Sequence, residues 1–344
     1  MSKIKPAKKR PTSQDVADLA GVSIATVSLV INNKSGGKVR ISEETRQKVR
    51  TAVETLNYRP FGAAQALATK RSNLLALMVP FIESPFLPWF VAAIQREAAE
   101  VGLGVIIYGS RNERQREQEF VNDCLGRGVD GIIAQTHQLT AAELEVLVEA
   151  GIAVIVYGPT PTHALADNVM FDEVEASARL VSTLIKKGYR RIATIAGPQD
   201  RWSGRLRYEG YVQALNMYGL PLEAPLICQA PSFARGAGAA CMQTLLALPD
   251  PPDAVFAAND ALAVDGMLVA FDAGLSVPGD VAFAGFDGTP ESVMIRPRLT
   301  TVYKDIDLLG TTLVQMLLER LHSDEVLPAR QKTLAYEIKI RESS

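Results

Sequence analysis

Residues Ser23 to Leu29 place short hydroxyls and outward apolar side chains at the start of one helix. If Ser23 opens that helix, its period turns Ile24, Ala25 and Leu29 outward while Val27, Val30 and Ile31 face inward. Apolar groups on an outer face gain nothing from water but fit against thymine methyl groups in the DNA major groove. Ser23, Thr26, Ser28 and Asn32 are short donors suited to phosphate oxygens, contacts that fix register without reading sequence. A second polar group, Arg207, Asn259 and Asp287, lies far downstream. Asn259 follows the apolar run Ala254–Ala257 and Asp287 follows Val281–Phe286, strand-end positions where open α/β sheets gather ligands. A carboxylate opposite an amide and a guanidinium suits a ligand rich in hydroxyls. Phe86, Trp89, Trp202 and Phe233 offer aromatic faces for a ring. Two plainer roles stay open: Arg207 and Asp287 can form an internal ion pair, and each aromatic can serve as core.

Catalytic chemistry is not visible. The chain has no GxSxG elbow, no HExxH pair and no phosphate loop, and its histidines (His137, His163, His322) are scattered. Gly102 with Gly104, and Gly126 with Gly128, lack the third glycine of a dinucleotide fingerprint and read as turns. We therefore expect no catalytic residue, metal or cofactor. Cys124, Cys228 and Cys241 are too few for a disulfide framework and read as buried apolar residues in a reducing compartment. Met1 to Pro11 is charged with no apolar stretch after it, and no apolar run reaches the ~18–20 residues of a membrane span. The expected location is the cytoplasm, with no membrane partner.

Charge divides the chain sharply. Residues 1–70 hold 13 Lys and Arg against 5 Asp and Glu, whereas the remainder is acidic although the whole nets only −2. A basic head on an acidic body fits a polyanion-binding module joined to a different function. At 344 residues, and roughly 150 per domain, two or three domains are expected.

The elements needed to hold these residues can be read from local signals. Thr12 with Asp15 forms a capping-box pair, Ser23 can cap a second helix, and Ser42 before Glu43 and Glu44 starts a third. Val16, Leu19 and Ala20 give the first helix an apolar face, and Val49, Val53 and Leu56 do so for the third. Gly21 sits where a tight helical corner needs positive φ. Pro60 opens an Ala-rich segment to Ala68 that can be helical but cannot bury itself alone. From Asn73 onward, short apolar strands (74–79, 105–108, 131–134, 153–157, 192–196, 254–257, 281–286) alternate with helical patterns (92–101, 141–149, 173–187, 261–273). That alternation predicts parallel sheets covered on both faces, in more units than one sheet holds, hence two α/β lobes.

The segments DVADLAGVSIATVSLVIN, ISEETRQKV and LNYRPFGAAQALAT, then RGVDGIIA, GPQDRWSGRLRYEGY, NDALAVDGM, VPGDVAFAGFDGTP and KIRESS, follow one another in this order. Together they resemble the lactose-repressor (LacI/GalR) family across essentially the whole chain. The resemblance implies an all-α helix-turn-helix DNA-binding domain (1–59), a hinge helix and linker (60–71), and a two-lobed α/β core like type I periplasmic binding proteins (72–344). Its first lobe would take about 72–166 and 304–328, and its second about 167–303 and 329–344. It implies a homodimer on double-stranded operator DNA and a small-molecule effector, a sugar or sugar derivative, between the lobes. To the DNA-facing residues it adds Thr12, Tyr58, Ala64 and Leu67. Leu67 would be the wedge that kinks a central base step, or else a linker residue packed on the core. On the effector side it points to Phe86, Leu87, Arg207, Asn259 and Asp287; Arg201 and Trp202, unusual neighbours for the family, and the Phe233 ring are the further candidates for the pocket wall.

The chain also departs from the family pattern. Leu29 stands where polar or basic residues are common, Gln65 where Arg is common, and Gly158 with Pro159 where an acidic effector ligand often sits. These imply a shifted half-site preference and an altered pocket. No Leu-heptad follows KIRESS, so a dimer is expected rather than a tail-joined tetramer. A repressor is the leading expectation, with an activator or dual regulator as the alternative. A solute-binding protein is the weaker rival, opposed by the basic head and the missing secretion signal.

Overall fold

The computed structural model describes residues 11–31, 41–59 and 71–344, apart from 83, 137, 160–164 and 324. Asn32, Ala64 and Leu67, and with them the expected hinge helix, lie outside the described residues. The chain divides into two units, Met1–Ser72 and Asn73–Ser344.

In the first unit, helix α1 (Ser13–Ala20) begins with the reciprocal box expected of Thr12 and Asp15, each side chain meeting the other's backbone N–H. It ends at Gly21, φ +66°. Helix α2 (Ile24–Ile31) turns through 102° from α1, the corner of a helix-turn-helix. Ser23 Oγ accepts from the Thr26 N–H at its start, and Ser42 does the same for Thr45 at helix α3 (Glu43–Leu56). The core is small: Val16, Ala17, Val27, Val30, Val49 and Ala52, with Tyr58 packed against it. Leu19 was expected in this core but is 54% exposed. Three short helices enclose too little volume to cover a full stripe of α1, and Ala17 takes the inward place.

The second unit holds two six-stranded sheets. Strands β1 (Leu74–Val79), β2 (Gly104–Gly109), β3 (Gly131–Ala134), β4 (Ala153–Tyr157), β5 (Asp167–Phe171) and β11 (Gln331–Leu334) form the first, in the order β11-β5-β4-β3-β1-β2. Strands β6 (Ile192–Ala196), β7 (Ile227–Gln229), β8 (Ala254–Ala257), β9 (Ala282–Asp287), β10 (Thr300–Lys304) and β12 (Tyr336–Lys339) form the second, in the order β12-β10-β9-β8-β6-β7. All pairings are parallel except β10 with β12. Each sheet therefore starts with the doubly wound order 2-1-3-4-5, and apolar clusters cover both faces of each.

Helices α4 (Leu87–Glu100), α5 (Arg114–Arg127), α6 (Ala141–Glu149) and α12 (Ile306–His322) belong to the first lobe. Helices α7 (Glu173–Lys186), α8 (Trp202–Met217), α9 (Ala239–Leu246), α10 (Asp260–Asp272) and α11 (Glu291–Met294) belong to the second. The chain crosses between lobes at Asp172, Asp305 and Ala335. Those crossings correct the expected lobe limits, since 167–171 and 331–334 both pair in the first sheet. The register is held there by Asp167, fully buried, which Arg320 and Arg330 reach at 2.5 and 2.6 Å.

The cysteine expectation also needs correction. Cys228 and Cys241 form a disulfide, with α-carbons 5.4 Å apart, while Cys124 is free and buried. Strand β7 and helix α9 bring the pair together, a tertiary approach that sequence spacing does not reveal.

Candidate functional site

In each sheet the strand order reverses beside its first strand, β1 against β3 and β6 against β8, and loops leaving such a reversal open a crevice. The two crevices face each other in one cleft. Its first-lobe wall is Pro80, Phe81, Ser84, Phe86 and Leu87 after β1, Gln135 after β3 and Tyr157 ending β4. From the second lobe come Arg201, Trp202, Ser203 and Arg207 after β6, Phe233 after β7, Asn259 after β8, and Asp287, Lys304 and Glu173 at strand and crossing ends. All eight effector-side candidates thus line a single cleft. Trp89, offered as a ring face, does not; it is 48% exposed on α4.

A four-charge cluster forms the floor. Arg207 donates through Nε and Nη2 to the Glu173 carboxylate at 2.8 and 3.0 Å. Nη2 also reaches Asp287 Oδ1 at 3.0 Å, and Nη1 donates to the Ala258 carbonyl at 2.6 Å. Lys304 Nζ lies 2.7 Å from Asp287 and 3.3 Å from Glu173. None of the four is more than 6% exposed. Burial alone would raise the Asp287 carboxyl, but the adjacent Arg207 and Lys304 outweigh it and hold it below the usual carboxylate range. Burial likewise works against the Lys304 ammonium, yet Asp287, Tyr157 and Glu173 keep it charged, with a raised pKa. The internal ion pair foreseen for Arg207 and Asp287 is therefore real and larger than foreseen. Asp287 holds φ +104°, a conformation that costs about 1–3 kcal/mol outside glycine and that persists when its surroundings fix it.

Aromatic rings close the cleft above this floor. Tyr157 meets Trp202 edge-on at 6.3 Å and lies near-parallel to Phe86 at 6.4 Å. The Arg201 guanidinium sits 3.4 Å over the Phe81 ring, and Lys304 Nζ sits 4.8 Å from the Phe86 centroid. Several of these contacts run from one lobe to the other. The space left is about 60 Å3, well below the ~300–1,000 Å3 of small-molecule sites, so a sugar-sized ligand requires the lobes to part. At Gly158 (φ +102°), an added side chain would come within 2.7 Å of the Trp202 ring. The indole therefore fills the space beside Gly158 that a side chain at that position would occupy.

Asn259 plays a different part from its neighbours. Its Oδ1 caps α10 through the Leu262 N–H, and its Nδ2 donates to the Phe233 carbonyl, both at 2.9 Å. It positions the Phe233 loop instead of offering its amide to the cleft. Next to it, burial pushes the Asp260 carboxyl up to about 7, against hydrogen bonds from Thr301 and Thr289. Local reading missed Glu173, Lys304 and Tyr157. The available signal for Lys304 was a lone cation between the β-prone run Thr300–Tyr303 and the helix cap Asp305.

On the first unit, Ile24, Ala25 and Ser28 are exposed on α2, Leu29 is half-buried, and Val27 and Val30 face the core. The Ser23 and Thr26 hydroxyls bond each other at 2.9 Å, and the Thr12 hydroxyl bonds Asp15 at 2.8 Å. Ile24 and Ala25 thus point outward as their spacing predicted, whereas Leu29, expected outward with them, is half-buried. The Ser23 and Thr26 hydroxyls are held in place by the cap of α2.

Two family models match the chain: bacterial regulatory proteins of the lacI family over residues 12–60, and the periplasmic binding protein-like domain over residues 181–344. The HTH-type transcriptional regulator CelR of Thermobifida fusca is 32% identical, covering 98% of this chain and 99% of its own length. A CelR–cellobiose complex superposes with a TM-score of 0.70 at 29% identity, covering 97% of this chain and 100% of the other. The Lac repressor dimer bound to operator and the anti-inducer ONPF gives a TM-score of 0.83 at 28% identity, covering 97% and 99%.

Proposed function

This chain belongs to the lacI family of bacterial regulatory proteins and is a DNA-binding transcriptional regulator, not an enzyme; we propose that it represses by seating paired α2 helices on operator DNA while a carbohydrate in the cleft tunes that grip. One observation supports the ligand class above others. The cleft floor balances two carboxylates against two cations, offering both acceptors and donors without a net demand for charge. Flanked by Phe86, Tyr157, Trp202 and Phe233, such a floor suits a neutral sugar ring with many hydroxyls. CelR holding cellobiose in a similar fold supports the same class.

The Lac repressor bound to operator as a dimer supports the assembly proposed here, two chains on a two-fold operator. The Ala64 and Leu67 segment would then form the hinge that enters the minor groove between the two reading helices. Among the described residues no single helix is long and apolar enough to cross a membrane. As a regulator that acts on DNA, the protein on this reading works in the cytoplasm.

A thermal-shift panel on the full chain tests the ligand class. Neutral mono- and disaccharides, sugar acids and nucleobases are compared at equal concentration. A neutral sugar at 100 times its Kd adds about 2.7 kcal/mol of stability and raises the melting temperature. A shift from sugar acids or nucleobases alone would overturn the neutral-carbohydrate reading.

A further inference from the structure

Ligand and DNA leave one feature of the second lobe without a role: the Cys228–Cys241 disulfide. Cys228 lies half-buried on β7, the edge strand of its sheet, and Cys241 lies buried on α9. After Gln229, where β7 ends, the residues between them carry Phe233 to the cleft with no strand or helix before Ala239. This loop is tied down at few points. The Phe233 carbonyl accepts from Asn259, and its ring packs on Gly197 so closely that no side chain fits there. The Gly236 and Gly238 N–H groups donate to Asp265 at 3.0 and 2.9 Å. Asn259 and Asp265 thus fix the middle of the loop, while the sulfur bridge fixes its ends. Disulfides are rare in the reducing compartments where DNA is read, and those that occur there are mostly transient and redox-sensing.

We propose that Cys228 and Cys241 form a redox-responsive clasp that sets how firmly the Phe233 loop is held at the cleft. Oxidised, the loop is pinned at both ends; reduced, it keeps the Asn259 and Asp265 bonds, the Ala230 N–H bond to the Ala196 carbonyl and the exposed Arg235–Glu291 ion pair, but no covalent tie. Only the consequence for a bound sugar rests on the reading of the cleft given above. The oxidant is a low-molecular-weight disulfide. The Cys228 thiolate, the more accessible, attacks one sulfur of that disulfide, forming a mixed disulfide and releasing one small thiol. The Cys241 thiolate then attacks the Cys228 sulfur, closing the bridge and releasing the second thiol. The two protons lost by the protein end on the two small thiols, and the two electrons reduce the oxidant. Cys124 does not compete: it lies in the other lobe, fully buried, where burial pushes its thiol up to about 12.

The test uses the full chain equilibrated at a series of reduced-to-oxidised glutathione ratios. Alkylation with mass spectrometry counts free thiols, and hydrogen exchange reads residues 229–240. The clasp predicts reversible, joint loss of alkylation at Cys228 and Cys241 as the buffer becomes oxidising. It predicts exchange in 229–240 several-fold faster in the reduced form, with 192–196 unchanged. Cys241→Ser should hold glutathione on Cys228. A pair that stays reduced at every ratio, or a loop that exchanges equally in both forms, would overturn the proposal. If the loop responds but no sugar shifts melting in either form, the clasp stands and the sugar reading of the cleft falls.

Discussion

Arg207→Ala should destabilise the core by about 3–5 kcal/mol and abolish any ligand-induced rise in melting temperature. The reason is the charge left behind. Without the guanidinium, Glu173 and Asp287 remain buried and, among the described residues, share the single cation Lys304. The Ala258 carbonyl loses its donor as well, and the Asp287 carboxylate keeps Lys304 but loses the guanidinium that met it. Arg207→Lys separates the two roles of the residue. It restores a positive charge and so recovers part of the stability, but a point charge cannot reproduce the fork that spans Glu173 and Asp287. Its ligand response should stay weak. Chemical unfolding gives the stability of each variant, and the sugar-induced shift gives its binding. An Arg207→Ala protein with wild-type stability and an intact shift would show that the cluster neither supports the lobe nor meets the ligand.

Binding to random duplex DNA should weaken by roughly 10³–10⁵-fold between 50 and 200 mM salt, if the dimer neutralises about 6–10 phosphates. Residues 1–70 carry an excess of eight positive charges per chain, set against an acidic remainder, so the cations available for phosphate are concentrated in the head. Base reading should behave differently. Ile24 is 45% exposed at the start of α2, where a helix in the major groove meets base edges. Ile24→Ala should therefore weaken binding to fragments selected by the protein while leaving the salt slope on random DNA unchanged. Fluorescence anisotropy on both kinds of DNA measures the two terms. A flat salt response would contradict the assignment of the basic head.

Much of the scaffold is written locally, in signals a few residues long. The Thr12–Asp15 box, the Gly21 corner and the Ser42 cap depend on neighbours in sequence, and all three form as expected. Strand 74–79 is apolar from end to end because both its faces are covered, and it matches its expected limits. The eight effector-side candidates converge because each follows a strand whose end the doubly wound order turns toward one cleft. Other features depended on distant partners. Glu173 and Lys304 are charged residues that usually face water, and they are buried here because Arg207 and Asp287 reach them from other elements. The lobe crossings were misplaced because β5 and β11 pair with each other across the intervening residues 172–330. Leu19 fits a helical stripe by spacing, but nothing packs over it closely enough to bury it, and Trp89, offered as a ring face, lies exposed on α4 away from the cleft.

The central claim is that the cleft and the reading helices exchange free energy, and a reciprocal titration tests it most directly. The sugar found by thermal shift is titrated into the full-length protein alone and then into the same protein saturated with its selected operator. The account predicts dissociation constants that differ by about 5–150-fold, with operator affinity shifted by the same factor when sugar is present. The sign of that shift tells whether the sugar releases DNA or strengthens its hold. Equal sugar affinity with and without operator would contradict the account.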